Sequence, residues 1–312
     1  MQTHSITQRL DAATLVPAEL RTPILPPPKS GKLELAGDCN LGCAYCSRTI
    51  SNNTGEMDRA LYSRIIREMV DIGIRSVGLF FIGESMLVRW LPAAIEEARA
   101  LGMDYVFLTT NGTLATPARV RECMAAGLSS LKFSLNYADA QQFAEIARVS
   151  PTLFERTLSN LRAARRIRDE GSYDCGIYAS SILYDGEQRE KMQALVNSIK
   201  DDVDEHYFLP CFSMQGAADN AGFQRSAGNP GRVGALRDPL PCWSLWSYHI
   251  DHLGRTIACC FGNGANDDFV MGDLRTQSFM EAWNSERFQA LRAAHLAGDV
   301  SATACANCAA LG

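Results

Sequence analysis

The stretch that decides the interpretation of this chain is Leu33-Glu34-Leu35-Ala36-Gly37-Asp38-Cys39-Asn40-Leu41-Gly42-Cys43-Ala44-Tyr45-Cys46. Its first four residues predict a short strand, and the three cysteines follow in a C-x3-C-x2-C spacing. Three thiolates on one loop can bind three irons of a four-iron cluster and leave the fourth iron open. The alternatives are a three-ligand zinc site or chance, although structural zinc sites usually take four ligands.

Downstream of this loop, short apolar runs alternate with amphipathic stretches. The predicted strands are 33–36, 76–83, 105–110, 131–136, 177–183 and 206–211. The predicted helices are 58–72, with Asp58 as N-cap, then 90–101, 117–126, 153–170 and 187–199. Such alternation predicts an α/β fold with a parallel sheet and right-handed crossovers, here an open, partial (β/α)6 barrel.

The remaining segments predict the domain boundaries. Residues 1–30 read as an irregular N-terminal extension, and 31–212 as the barrel. Residues 213–241, rich in Gly, Ala, Asn and Pro, read as a linker. Residues 242–312 form a small C-terminal domain, with a hairpin turning at Gly254 and a final helix over 277–296.

Composition narrows the class of protein. Of the 312 residues, 46% are hydrophobic and 21% charged, and the net charge is −5. No apolar run is long enough to cross a membrane, and the beginning of the chain lacks a secretory pattern, so we expect a cytoplasmic location. An acidic chain without a basic patch disfavours nucleic acid as a partner. Eleven cysteines in a reducing compartment indicate metal binding rather than disulfides.

The first cysteine loop resembles that of the radical S-adenosylmethionine (radical SAM) superfamily, whose signature is this spacing with an aromatic residue, here Tyr45, before the third cysteine. The resemblance covers roughly residues 33–212. It implies that Cys39, Cys43 and Cys46 hold a [4Fe–4S] cluster whose open iron is chelated by S-adenosylmethionine. One electron from the cluster then yields a 5′-deoxyadenosyl radical. An external one-electron reductant such as flavodoxin or ferredoxin is implied as a partner.

Further cofactor-binding residues follow from the same resemblance. The family carries a G-G-E-P-like stretch after its second strand, and Gly83 and Glu84 occupy the matching positions, without the flanking glycine and proline. In the fourth strand, Lys132, Ser134 and Asn136 share one face. The family uses this strand for the ribose and carboxylate of the cofactor, which makes Ser134 and Asn136 candidates. The alternative is a hydrated barrel lining without direct contact.

A second set of cysteines lies near the C-terminus: Cys242, Cys259, Cys260, Cys305 and Cys308. Four thiolates suit a second [4Fe–4S] cluster and suit zinc about equally on chemistry alone. The spacing around Gly254, the Gly272-Asp273-Leu274 and Ala282-Trp283-Asn284-Ser285 motifs and the closing C-x2-C resemble the SPASM/twitch appendage of radical SAM enzymes. The shorter twitch form, with one auxiliary cluster, fits best, and either Cys259 or Cys260 serves as a ligand.

The short twitch enzymes that this chain resembles act on small molecules, notably sugars and aminocyclitols of antibiotic pathways, whereas peptide-modifying relatives are usually longer. Two reactions are expected: epimerisation of a hydroxyl-bearing carbon, or oxidation of a secondary alcohol to a ketone with electron transfer to the auxiliary cluster.

An epimerase needs a hydrogen-atom donor. Cys123 is predicted to be a packing residue, and Cys175 begins the fifth predicted strand, at the bottom of the barrel. Cys211 ends the sixth predicted strand, where active sites of such folds lie. Cys211 therefore favours the epimerase, against the alternative that it is only a small buried residue. A zinc- or cluster-bearing scaffold protein is the hypothesis from another class.

Overall fold

The computed structural model describes residues 5–50, 54–182, 187–209, 240–262 and 266–306. Within these residues, nine strands form one sheet in the order β6-β5-β4-β3-β2-β1-β7-β8-β9. The first six pair in parallel. They are β1 (Ser30–Leu33), β2 (Ser76–Gly78), β3 (Tyr105–Thr110), β4 (Ser130–Ser134), β5 (Gly176–Ile182) and β6 (Glu205–Leu209). The predicted partial barrel is confirmed.

Helices connect successive strands of the parallel part. They are α2 (Arg59–Asp71), α3 (Leu91–Leu101), α4 (Pro117–Ala125), α5 (Ala140–Ala147), α6 (Thr152–Glu170) and α7 (Glu187–Ile199). Asp58 caps α2 as predicted, since its side chain accepts a hydrogen bond from the Leu61 amide at 2.9 Å. The sequence analysis missed α5, which follows β4 closely and whose C-terminus holds the first cysteine loop.

The two faces of the parallel sheet differ in chemistry. On the outer face, Val77, Val106, Leu131 and Ile177 are fully buried. The register places Lys32 beside Gly78 and Lys132 beside Tyr178 on the opposite, inner face. Because side chains alternate between the faces of a strand, the polar residues of β4 point away from the helices. The inner face is therefore the polar lining of the half-barrel.

The C-terminal strands extend the same sheet. Strand β7 (Tyr248–Ile250) pairs in parallel with β1, and β8 (Arg255–Ile257) and β9 (Val270–Asp273) continue antiparallel beyond it. The β7–β8 turn is at Gly254, as predicted, where φ of +81° favours glycine. The hairpin is thus hydrogen-bonded to the barrel edge, and β9 was not expected from the sequence.

Two expectations about helices are wrong. Residues 1–30 were expected to be irregular, but α1 spans Ile6–Thr14, capped by the Ser5 side chain. The final helix is two helices, α8 (Phe279–Trp283) and α9 (Glu286–Ala297), separated at Asn284. The Asn284 side chain exchanges two hydrogen bonds with the backbone of Leu25, at 2.9 and 2.8 Å, which interrupts the helix. The predicted linker 213–241 lies almost wholly outside the described residues.

Candidate functional site

The first cysteine loop follows β1 at the carboxyl end of the parallel strands. It is fixed from two sides by backbone hydrogen bonds. The Gly42 and Ala44 amides donate to the carbonyls of Ala147 and Ile146, each at 2.9 Å, at the end of α5. On the other side the Asp38 carboxylate accepts from the Gly55 amide at 2.7 Å. The loop is therefore tied to α5 on one side and to residue 55 on the other by hydrogen bonds of the chain itself.

The three thiols of this loop lie in a poorly solvated environment. The Cys43 sulfur is 2.7 Å from the Tyr137 hydroxyl, and the Asn111 side-chain amide donates to the Cys39 sulfur at 3.7 Å. Burial raises the pKa of Cys39 to about 12 and that of Cys43 to about 11, and it also raises the pKa of Cys46. Iron binding must therefore displace thiol protons, and the metal charge stabilises the thiolates.

The donor set of this loop is three thiols that lie near one another. Cys43 and Cys46 are close enough to raise the pKa of Cys39 further, after burial and the Glu84 carboxylate. In a four-iron cluster each thiolate binds a different iron, so three thiols on one loop fit such a cluster.

Tyr45 and Asn136, both predicted cofactor residues, come together in the structure. The Asn136 amide donates to the Tyr45 hydroxyl at 2.8 Å, and its carbonyl accepts from the Ile182 amide at 3.2 Å. Asn136 thus links the cysteine loop to the ends of β4 and β5. Ser134 precedes it on the inner face and pairs in register with Ser180.

Gly83 and Glu84, two predicted cofactor residues, lie against the cysteine loop. A Cβ atom on Gly83 would be 1.9 Å from the Ala36 carbonyl oxygen, so glycine is required for this close approach. The buried Glu84 carboxylate accepts from the Thr110 hydroxyl at 2.9 Å and the Asn111 amide at 2.8 Å. It therefore ties the β2 and β3 loops together. The Glu84 carbonyl accepts from the Leu87 amide, which favours the Gly83 carbonyl as the oxygen for a ligand.

Sequence reasoning missed a buried pair, Glu34 and His252, that joins the hairpin to this site. One Glu34 oxygen accepts from the amides of Ile82 and Gly83, both at 2.9 Å. The other accepts from His252 Nδ1 at 2.9 Å. Burial alone would lower the pKa of His252, but the Glu34 carboxylate outweighs it and the pKa is raised. The only sequence signal was a charged residue, Glu34, among the apolar residues of the first predicted strand.

The structure describes four of the five C-terminal cysteines. Cys242 precedes β7, Cys260 is buried after β8, and Cys259 and Cys305 are half-buried. The Cys260 amide donates to the Ser244 hydroxyl at 2.8 Å, and the Cys242 amide donates to His295 Nδ1 at 3.3 Å. Both Cys259 and Cys260 lie close enough to Lys32 to raise its pKa, against the larger lowering by burial. Cys308 lies outside the described residues.

The isolated cysteines divide into two kinds. Cys123 and Cys175 are fully buried in the core cluster, where burial raises the pKa of both thiols. This agrees with the predicted packing role of Cys123. Cys211, the predicted hydrogen-atom donor, lies outside the described residues, so its role stays a prediction.

Comparison with known proteins defines the class. Residues 33–199 match the Radical SAM superfamily, and residues 242–309 match SPASM, an iron–sulfur cluster-binding domain. Because the first match covers more than half of the chain, the chain belongs to the radical SAM superfamily. It is a radical SAM enzyme with a SPASM-type domain, which implies S-adenosylmethionine and [4Fe–4S] clusters, two in number as the SPASM domain indicates.

Two curated relatives illustrate how far the sequence similarity reaches. The chain is 30% identical over 179 residues to GTP 3′,8-cyclase of Synechococcus sp. (strain CC9902), covering 54% of this chain and 51% of that protein. It is 37% identical over 119 residues to PqqA peptide cyclase of Xanthomonas euvesicatoria pv. vesicatoria (strain 85-10), covering 38% of this chain and 32% of that protein. The chain thus spans about half or less of the length of these relatives.

Solved structures share the fold at low identity. BtrN, in complex with AdoMet and 2-DOIA, gives a TM-score of 0.58 at 17% identity, covering 90% of this chain and 92% of that chain. Streptococcus suis SuiB, bound to the precursor peptide SuiA, gives 0.67 at 14% identity, covering 86% and 67%. Among the described residues, no helix has the length and apolar character needed to span a membrane.

Proposed function

We propose that this enzyme takes a hydrogen atom from a hydroxyl-bearing carbon of a small molecule of the sugar or aminocyclitol type, and inverts the configuration of that carbon. The observation that carries the proposal is the polar inner face beside the cysteine loop. Lys132 and Ser134 lie on β4, Asn136 follows two residues after its end, and Ser180 on β5 pairs with Ser134. A polar lining in the interior of a fold requires a polar occupant.

When bound, the first cluster and S-adenosylmethionine supply a 5′-deoxyadenosyl radical that removes the hydrogen atom. The chain itself holds the parts in place. Tyr45 and Asn136 connect the cysteine loop to the strand ends, and Glu84 fixes the β2 and β3 loops beside it. An external one-electron reductant of the flavodoxin or ferredoxin type is part of the proposal.

The fate of the substrate radical decides the reaction. Inversion requires a hydrogen atom from the opposite face, and we assign its return to the thiol of Cys211, which follows β6 by two residues. The second candidate is a dehydrogenase that leaves a ketone. The observation in its favour is that Cys259 and Cys260, two predicted metal ligands, lie near the inner-face residue Lys32, which supports a second metal site close to the barrel interior.

A peptide substrate is the competing class, because curated relatives include PqqA peptide cyclases. The similarity to that cyclase covers only 38% of this chain and 32% of the other. This coverage is too small to assign the substrate of that cyclase to this chain. The polar inner face is the better guide, since it is a property of this chain.

The test is turnover in deuterium oxide with candidate aminocyclitols and sugars. Epimerisation through a thiol places one solvent deuterium at the inverted carbon, whereas oxidation yields a ketone without it. Cys211→Ala is expected to stop inversion while 5′-deoxyadenosine is still formed. Cys123→Ala, which changes a packing cysteine, is the matched control and keeps the activity. Normal inversion by the Cys211→Ala enzyme would exclude this donor.

A further inference from the structure

The turn between β7 and β8 contacts two segments of the barrel through one buried side chain, His252. The residue is 2% exposed, and its Nδ1 lies 2.9 Å from a Glu34 carboxylate oxygen. Its Nε2 lies 3.2 Å from the Thr54 carbonyl, in the segment that follows the first cysteine loop. Because a carboxylate and a carbonyl oxygen only accept hydrogen bonds, the ring donates from both nitrogens and is an imidazolium. His252 and Glu34 therefore form a buried ion pair.

The Glu34 carboxylate is held by donors from two directions. One oxygen accepts from the backbone amides of Ile82 and Gly83, both at 2.9 Å. The other accepts from the amide and the ring of His252, at 3.2 and 2.9 Å. The position of this carboxylate thus depends on the hairpin as much as on the loop after β2. The hairpin is connected to the Gly83 backbone through a single side chain.

The Gly83 backbone is oriented from both sides. Because a peptide unit is planar, a hydrogen bond from its amide also fixes the direction of its carbonyl. The Gly83 amide donates to Glu34. The Glu84 amide, which belongs to the same peptide unit as the Gly83 carbonyl, donates to the Asp38 carbonyl at 2.8 Å. Glycine has the widest backbone freedom of any residue, and these two contacts restrict it on either side. Glu34 therefore helps to set the direction of the Gly83 carbonyl.

We propose that Glu34 and His252 are positioning residues for S-adenosylmethionine, which hold the Gly83 backbone so that its carbonyl can accept a hydrogen bond from the cofactor. Neither side chain touches the cofactor, because both act through Gly83. The inference rests on the predicted cofactor role of Gly83 and on the radical SAM class of the enzyme, and it is independent of the proposed epimerisation. The C-terminal domain thus takes part in cofactor binding through its hairpin turn, separately from its cysteines.

The competing explanation is that the pair only docks the hairpin. The C-terminal domain has other contacts with the rest of the chain, however. Strand β7 pairs with β1 through the backbone, and the Trp246 ring nitrogen donates to the Leu20 carbonyl at 2.6 Å. These contacts do not involve Gly83. Loss of the His252 ring should therefore leave the hairpin docked while it loosens the Gly83 backbone.

Equilibrium binding of S-adenosylmethionine to the reconstituted enzyme, measured anaerobically, tests the proposal. His252→Leu cannot donate from its side chain to Glu34, and it is expected to weaken the affinity about tenfold, as for a lost hydrogen bond. The iron content should stay at about eight per chain. His252→Asn keeps a side-chain donor near the position of Nδ1 and should recover most of the affinity. Leu253→Ala, in the same turn but 38% exposed, is the matched control and leaves the affinity unchanged.

Glu34→Gln is a second variant that keeps the side-chain volume. A single carbonyl oxygen replaces two carboxylate oxygens, so the side chain cannot accept from both the β2 loop and the hairpin. We again expect binding about tenfold weaker than in the wild type. This variant carries the test if His252→Leu does not fold.

Three results would overturn the proposal. The first is an unchanged affinity in His252→Leu or Glu34→Gln, and the second is an equal loss in His252→Leu and His252→Asn. The third is a parallel loss of iron from the first cysteine loop, which would show that the pair supports that loop rather than Gly83. Failure of the proposed epimerisation looks different, because the affinities would change as expected while no inverted product forms.

Discussion

The first three cysteines lie within one loop, residues 39–46, whereas the C-terminal cysteines are spread over residues 242–308. The loop is held by neighbouring elements of the barrel: it follows β1, and it contacts the end of α5 and Gly83. The C-terminal set depends on a hairpin, two short helices and a contact with residues 25–26. The first site is thus robust to changes elsewhere, while the second is sensitive to the docking of its supporting elements.

Removal of the ligands gives the largest expected effect and separates the two sites. Replacing Cys39, Cys43 and Cys46 together by Ala should abolish 5′-deoxyadenosine formation and reduce the iron content from about eight to about four per chain. Replacing Cys242 and Cys305 should remove the other half and leave S-adenosylmethionine binding intact. Iron and sulfide analysis of anaerobically purified protein measures both. Zinc in place of iron at the second site would contradict the two-cluster assignment.

Gly83→Ala tests whether the first cysteine site needs the close approach of Gly83 to the cysteine loop. The added Cβ would overlap the Ala36 carbonyl oxygen, so the β2 loop must move away from the cysteine loop. A displacement of this size should slow 5′-deoxyadenosine formation about a hundredfold. Gly42→Ala is the control, because its Cβ would come no closer than 3.6 Å to another residue. Equal rates in the two variants would show that the Gly83 approach is not needed.

Breaking the buried pair that joins the two regions should cost stability. Glu34→Ala leaves the His252 ring and three backbone amides without their partner, for a loss of about 3–5 kcal/mol in the free energy of unfolding. Arg166→Gln, which breaks the exposed Arg166–Glu170 pair, should change it by about 0–1 kcal/mol. Denaturant unfolding measures the free energy of unfolding of both variants. A small effect of Glu34→Ala would mean that the hairpin docks without this pair.

The same pair predicts a pH dependence. The pKa of His252 in the folded protein is raised above its ordinary value of 6.5 by Glu34 and, less strongly, by Asp251, against the effect of burial. The folded state therefore binds the proton more tightly. The stabilisation is fully present below pH 6.5 and is lost as pH rises through the raised pKa. Unfolding free energies measured across this range should fall with pH in the wild type and fall less in Glu34→Ala.

The smallest expected effect concerns the docking of the C-terminal helices. Asn284→Ala removes the two hydrogen bonds to Leu25 and one from Arg292, for a loss of about 1–3 kcal/mol. Iron loss should be confined to the C-terminal set. Asn197→Ala, on an exposed face of α7, is the control. Equal iron loss from both sites would contradict the proposed independence of the first loop.

Much of the fold was predictable because its signals are local. The six parallel strands, the Asp58 cap and the turn at Gly254 follow from apolar periodicity and residue chemistry over a few positions. Helix α5 was missed, although it provides the backbone acceptors for the cysteine loop. The split between α8 and α9 was missed as well, because it depends on hydrogen bonds between Asn284 and Leu25, which is 259 residues away in the chain.

The sequence by itself determined the class of protein, since the C-x3-C-x2-C loop lies within residues 33–199, which match the Radical SAM superfamily. Only the tertiary structure decided which side chains of the C-terminal hairpin lie beside those of β1. The pairing of β7 with β1 places His249 beside Lys32 and His252 against Glu34, contacts that span more than two hundred residues. Such contacts leave no periodic signal, because each depends on the register of strands distant in sequence.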